Sequence, residues 1–377
     1  MLTLTLYYAT NRNHIGPRWS PKSYGQDFSA DRSNNLRFGR ITVEVSREKI
    51  KYFQAHNVDN RAGDGEGLSA YIEKKLRKKH LISAFKEPEE STDSISAPQP
   101  LASTTAFHEL KKQMEAKRDL VIFIHGFNVD WFEAVASAMA LELMLNRHSH
   151  DNDDLKDTSV FLFSWPSNGK MMRNKAYLSD RSDAEDSSIA VARGFLKLRD
   201  FLMTLRPKHD DIALKECGQQ LHLLCHSMGN YVLQHALTAL IKLNNQKHLP
   251  QLFQHIFMCA PDVDDNVFEQ EQPMANLHRL ARQVTVYYNN GDLAMYISDY
   301  TKGNIDRLGH NGCARPLQLH NKVNQVNCSK IVGGVTEHSY YLWATVNEDI
   351  RHSIDGINYN DSVRKRSSQS TQVWHLI

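Results

Sequence analysis

Apolar residues change their spacing along this chain in a repeating way. From residue 120 onward, short and nearly continuous apolar runs alternate with longer stretches in which apolar residues recur every three or four positions. The runs are residues 120–124 (LVIFI), 160–165 (VFLFSW), 221–225 (LHLLC), 255–260 (HIFMCA) and 284–288 (VTVYY). Such a run, of strand length and bounded by turn residues, reads as a strand covered on both faces. The stretches between them read as helices. Residues 130–145 begin with Asp130, a predicted N-cap, and continue alanine-rich and periodic. After a polar loop reaching to Asp183, residues 184–205 carry an apolar stripe through Ile189, Ala192, Phe195, Leu198 and Leu202. Met228, Val232, Leu233, Ala236, Leu237 and Leu240 keep helical spacing in a third. Strands alternating with helices predict an α/β fold: a mostly parallel central sheet with helices on both faces, joined by right-handed crossovers.

Before that core, residues 2–9 are β-prone and residues 38–45 (FGRITVEV) alternate, with Ile41, Val43 and Val45 on one face. Both are predicted as N-terminal edge strands. Residues 10–36, rich in Asn, Arg, Ser and Pro, read as a surface loop able to reach over an active site. Residues 47–85 hold a short basic helix, and residues 86–103 have the composition of a flexible linker. Near the end, residues 330–335 (KIVGGV) read as a last short strand, with a helical stretch over 340–350 behind it. The resulting plan is one domain over residues 1–357. Within it, residues 47–117 are an insertion or linker region and residues 302–330 a possible lid loop, and residues 358–377 follow as a polar, mobile tail.

The chemistry centres on residues 219–234, QQLHLLCHSMGNYVLQ, where a strand breaks at Ser227 and resumes as a helix. The C-H-S-M-G around it is close to the nucleophile elbow G-x-S-x-G, whose small flanking residues let strand and helix approach while the hydroxyl projects. Cys225 stands at the first small position and Gly229 at the second. A serine hydroxyl needs a base, and the base needs a group to hold its tautomer. With 19 histidines in the chain, position must choose among them. In this type of fold the order is serine, then an acid at a strand end, then a histidine after the last strand. His338, in GGVTEHSYY, meets that rule. Two acids follow strands: Asp292, which ends VTVYYNNGD, is preferred from chain order, since the penultimate strand is the commoner place for the acid, and Asp262, after Pro261, is the alternative; either could instead cap a turn or helix. For the developing oxyanion, HGFN at residues 125–128 offers the Phe127 amide and the elbow offers the Met228 amide.

Composition narrows the partners. Lys plus Arg at 45 against Asp plus Glu at 43 gives no reason to expect nucleic acid. Five cysteines without framework spacing favour reduced thiols, and the first residues lack the basic and apolar regions of a secretory signal. No window approaches the roughly 20 apolar residues of a membrane span. A cytoplasmic protein is therefore expected, with unconventional secretion left open. His222 and His226 do not share a helix face as a metal pair would, and neither a Cys-x-x-Cys nor a G-x-G-x-x-G occurs, so no metal and no cofactor are expected.

HGFN, FSWPS, CHSMGNYVL, CAPDVD, VYYNNGDLAMYIS and TEHSYY, in this order, resemble the α/β-hydrolase superfamily, and specifically its mostly bacterial branch catalogued as domain of unknown function nine hundred. The N-terminal YYATNR and FGRITVEVS resemble that branch too, which implies that residues 2–45 form the first strands of the same sheet. The resemblance covers about residues 1–350, poorly over 47–117 and 302–330. It implies a Ser-Asp-His hydrolase carried on Ser227, Asp292 and His338, with Cys225 departing from the usual glycine. The expected activity is cleavage of a carboxylic ester, from a small molecule or a lipid, through an acyl-enzyme. Two other readings stand beside it: a lipase or phospholipase acting on membrane lipids, and a binding protein that keeps the hydrolase fold without turnover.

Overall fold

Hydrogen bonding joins the apolar runs into one sheet in the computed structural model, which describes residues 1–30, 33, 35–57, 62–86, 101–115, 119–149, 157–167, 173–204, 219–244, 249–292, 306–332 and 337–377. The strands are β1 (Leu2–Thr10), β2 (Arg12–Ile15), β3 (Ser23–Phe28), β4 (Arg37–Val45), β5 (Leu81–Ala84), β6 (Asp119–Ile124), β7 (Thr158–Ser164), β8 (Leu221–His226), β9 (Phe253–Cys259), β10 (Ala281–Tyr288), β11 (Val323–Asn327), β12 (Arg366–Ser370) and β13 (Val373–Leu376). Eleven of them form the sheet, in the order β12-β13-β11-β10-β9-β8-β6-β7-β1-β4-β5, and β2 pairs with β3 in an antiparallel ribbon. Every pairing from β13 through to β1 is parallel. Only β4, β5 and β12, at the two ends, run antiparallel to their neighbours.

The helices longer than one turn are α1 (Arg47–Ala55), α2 (Gly65–Lys78), α3 (Ala102–Glu115), α4 (Trp131–Leu145), α5 (Arg173–Thr204), α6 (Gly229–Leu243) and α7 (Ala344–Ile354). Side chains alternate between the faces of a strand, so a continuous apolar run supplies a core on each side. Val121, Phe123, Leu162 and Leu224 pack with α1, α2, α4 and α7, whereas Leu120, Ile122, Phe161 and Leu223 pack with α3, α5 and α6. At the start of α4 the Asp130 carboxylate accepts from the Glu133 amide at 3.0 Å, and the Asp130 amide donates to Glu133 Oε2 at 2.7 Å. This reciprocal cap satisfies two of the orphan donors of the helix that follows the HGFN turn.

The structure departs from the sequence expectations where burial is achieved by few apolar residues. β1 is not an edge strand: it lies between β7 and β4, with Leu6 and Tyr8 buried on one face and Tyr7 and Ala9 on the other. Residues 10–30 are not a surface loop, because the β2–β3 ribbon buries Arg12 and Tyr24. Within residues 47–85 the described residues form α1, α2 and β5, and α2 repeats Leu68, Ile72 and Leu76 every four residues against α4. The predicted linker beyond residue 86 lies outside the described residues up to 100. α5 begins at Arg173, so the predicted polar loop up to Asp183 is largely helical. The last strand before His338 is β11, and residues 333–335 of the predicted KIVGGV strand lie outside the described residues. β11 was hidden by its polarity (VNQVN), which is satisfied internally: Gln325 Oε1 accepts from the Cys313 amide at 2.7 Å and Asn327 Nδ2 donates to Asn290 Oδ1 at 3.1 Å. A lid over 302–330 is overturned at its two ends, where Arg307 and Leu308 are buried and β11 lies inside the sheet, while residues 314–322 between them are largely exposed.

The polar tail of residues 358–377 is likewise structural, since β13 extends the parallel sheet and β12 closes its edge. Its anchor is a buried carboxylate. Asp349 of α7 accepts from Tyr287 Oη at 2.7 Å, from Arg364 Nε at 3.1 Å and from Arg366 Nε at 2.7 Å. Burial works against this carboxylate, yet the two guanidiniums outweigh it and hold its pKa below the ordinary range. Asp349→Ala leaves both cations buried without their counter-charge and is expected to lower unfolding stability in urea by about 3–5 kcal/mol. A loss of less than about 1 kcal/mol, the worth of an exposed pair, would show that the tail strands hold without it.

Candidate active site

β8 delivers its chain to a turn that only certain residues permit. Ser227 follows the strand with φ of +52°, a left-handed conformation that costs a side-chain-bearing residue about 1–2 kcal/mol. The turn is held by its backbone: the Ser227 amide donates to Cys259 O at 2.9 Å, and its carbonyl accepts from the amides of Asn230 at 3.0 Å and Asp262 at 3.2 Å. Asn230 Nδ2 adds bonds to Cys225 O at 3.0 Å and to Ser227 O at 3.1 Å. Gly229 opens α6 directly against β6, where a Cβ would sit 2.5 Å from Ile124 O and 2.7 Å from His125 O. Cys225 fills the other small position, fully buried between β6 and β9, and burial raises its thiol well above the usual value, leaving it an inert packing group.

The end of β6 comes onto the same point. A Cβ at Gly126 would lie 2.8 Å from the Ser227 Cβ, so the HGFN turn rests on the serine. Among the described residues no acceptor takes up the backbone N–H of Phe127 or of Met228.

The structure brings Asp292 and His338 together. β10 ends in a turn in which the Asp292 amide donates to Asn289 O at 3.1 Å and the Gly291 amide to Asn289 Oδ1 at 3.0 Å. The buried Asp292 Oδ2 then accepts from His338 Nδ1 at 2.7 Å. Burial opposes charge on this imidazole, but the Asp292 carboxylate outweighs it and raises the His338 pKa above the ordinary histidine value. A carboxylate on Nδ1 keeps the proton there and the lone pair on Nε2, the form able to take a proton from a hydroxyl. Asp262 is engaged elsewhere: Tyr177 Oη reaches its two oxygens at 3.1 and 2.8 Å, and Arg307 Nε lies 3.5 Å away.

One residue that sequence reasoning passed over joins these parts. His226 Nε2 donates to the His338 carbonyl at 3.2 Å, so the segment bearing the Asp292–His338 pair docks on the residue just before Ser227. Burial, reinforced by His338, pushes the His226 pKa well down and keeps it neutral. Its place inside the C-H-S-M-G motif was the available signal, but a neutral structural histidine has no chemistry to announce itself. The tyrosines near the pair serve the core: Tyr340 Oη donates to Tyr287 O at 3.0 Å, and Tyr287 Oη reaches Asp349. Tyr296 and Tyr300 lie outside the described residues. Among the described residues no group of three or more His, Cys, Asp or Glu converges as a metal site would require, and no helix is long and apolar enough to cross a membrane.

Comparison with known proteins places this chain in a family. An uncharacterized protein of Nostoc sp. is 27% identical over 247 residues, with 53% of this chain and 59% of that protein covered, so the match spans less than two thirds of the relative's length. Among solved structures, lipase B of Aspergillus fumigatus is 11% identical with a TM-score of 0.34, over 74% of this chain and 65% of that one. Esterase B from Lactobacillus rhamnosis is 12% identical with a TM-score of 0.34, over 64% of this chain and 76% of that one. Similarities this distant carry no argument about activity. Residues 101–346, however, match the family described as alpha/beta hydrolase of unknown function (DUF900), and that stretch includes β6, the elbow, Asp292 and His338. With more than half of its length matched, this chain belongs to that α/β-hydrolase family.

Proposed function

We propose that the protein is a serine hydrolase that cleaves a carboxylic ester through an acyl-enzyme on Ser227. The observation that carries this reading is the 2.7 Å bond between Asp292 and His338, made between residues 46 apart in sequence and docked through His226 onto the elbow. In the first half-reaction His338 Nε2 takes the Ser227 proton as Oγ bonds to the ester carbonyl carbon, and the carbonyl π electrons move onto oxygen. The Phe127 and Met228 amides stabilise that oxyanion, each donor being worth about 100- to 1,000-fold in rate at such a position. Collapse breaks the bond to the alkoxy oxygen, which leaves as the alcohol with the proton from His338. Water then repeats the sequence on the acyl-enzyme, releasing the acid and restoring Ser227. Asp292 holds His338 in the required tautomer and offsets its transient charge. The soluble-ester reading is preferred over a membrane-lipid one because, in the segment suggested as a lid, Arg307 and Leu308 are buried and β11 is built into the sheet.

Labelling by a fluorophosphonate probe tests the nucleophile: it is expected in the wild type and lost in Ser227→Ala, and strong labelling of the variant would remove Ser227 from that role. The acid is tested by turnover of a p-nitrophenyl ester. Asp292→Asn is expected to lower kcat by about 1,000- to 10,000-fold, and Asp262→Asn far less; the reverse order would transfer the role to Asp262. The base must be neutral to act, and Asp292 favours its protonated form. Hydrolysis is therefore expected to rise with pH along a limb whose midpoint lies above about 6.5, the ordinary histidine value. A kcat/KM profile with its limb below that value would contradict the assignment of His338.

A further inference from the structure

Arg12, in the N-terminal YYATNR segment, is fully buried, yet its hydrogen-bond partners are all neutral. Nε donates to Ser164 Oγ at 2.9 Å, Nη1 to Gly25 O at 3.0 Å, and Nη2 to Val129 O at 2.8 Å with a longer contact of 3.4 Å to His125 Nε2. A buried guanidinium is costly, and these contacts spend it on the segment that follows β6.

The donors around His125 determine its tautomer. Arg12 and the Trp165 amide, 3.2 Å away, can only donate, so Nε2 carries the lone pair and Nδ1 the hydrogen. Nδ1–H then donates to Gly126 O at 3.0 Å. In a trans peptide the carbonyl and the following N–H point in opposite directions, so anchoring Gly126 O on the His125 ring aims the Phe127 N–H away from it. The rest of the turn is pinned as well. Asp180 Oδ2 accepts from the Asn128 amide at 3.3 Å, Ser167 Oγ from the Val129 amide at 3.3 Å, and Arg12 binds the Val129 carbonyl. Among the described residues no acceptor takes up the Phe127 N–H itself.

We propose that Arg12 is a positioning residue for the reaction: through the His125 tautomer and the Val129 carbonyl it holds the Phe127 amide in the direction that receives the oxyanion. This rests on the serine-hydrolase reading above. Arg12 touches neither substrate nor Ser227, and its effect belongs to the transition state, where negative charge reaches the carbonyl oxygen.

The test compares a p-nitrophenyl ester with its thionoester, in which sulfur replaces the carbonyl oxygen and accepts hydrogen bonds poorly. A defect confined to the oxyanion donors slows the oxygen ester more than the thionoester, whereas general loosening slows both alike. Arg12→Met is expected to lower kcat on the ester by about 10- to 100-fold with KM within about threefold, and to lower the ester-to-thionoester ratio about tenfold. Arg12→Lys should recover part of the ratio. His125→Gln, which keeps a polar atom near Arg12 but no donor at Nδ1, should repeat the loss and carries the test if Arg12→Met does not fold. An unchanged ratio in the folded variants, with Ser227-dependent labelling intact in the wild type, overturns the role of Arg12 and leaves the hydrolase reading standing. Failure of all three variants to fold would assign these contacts to stability and overturn it too. Absence of Ser227-dependent labelling in the wild type removes both.

Discussion

The carboxyl end of this sheet depends on how closely two strand ends can approach. The turn after β6 and the elbow after β8 meet at Gly126 and Gly229, each with no room for a Cβ. A Cβ at either position would force the two strand ends apart. Everything around them preserves that distance: the left-handed Ser227, the Asn230 side chain bridging Cys225 O and Ser227 O, and the link from Ser227 to β9. Cys225 fits the same logic. Its side chain is small enough for the strand position it occupies between Ile124 and Met258, so the departure from glycine leaves the approach intact.

Three histidines share this region, and their surroundings push them to different tasks. His338 lies beside a carboxylate and is biased toward its charged form. His125, buried and facing Arg12, has its pKa lowered to about 3, so it stays neutral and serves as a fixed donor and acceptor. His226 is held neutral by burial and by His338 itself. One residue type thus supplies a titrating group and two rigid polar struts, distinguished only by neighbouring charge and access to water.

Much of the fold was legible because its central strands are parallel and covered on both sides, a state that demands nearly continuous apolar sequence. The runs at 120–124, 160–165, 221–225, 255–260 and 284–288 all fall in strands of the sheet or at their ends. β11 and β12 escaped because VNQVN and RSSQS are polar, and the polar atoms of β11 find partners that only the assembled sheet supplies. α2 was underrated since its basic residues drew attention from the Leu68, Ile72, Leu76 stripe. At the site, chain order was enough to nominate Asp292 and His338, and the structure bonds those two side chains. Arg12, His125 and His226 were invisible in role, because orienting a peptide group leaves no spacing pattern.

Among the described residues the sheet has two edges, β5 and β12, and an edge strand can expose unpaired backbone groups to another extended chain. β5 offers only four residues on its side. β12 offers five, RSSQS, with its pairing to β13 broken by an irregularity between Ser368 and Ser370. Both borders are thus poor templates, one by brevity and the other by hydrophilic side chains and a broken register. The C-terminal segment accordingly does more than extend the sheet: it covers the regular flank of β11 with a border whose broken register makes it a poor template for joining molecule to molecule.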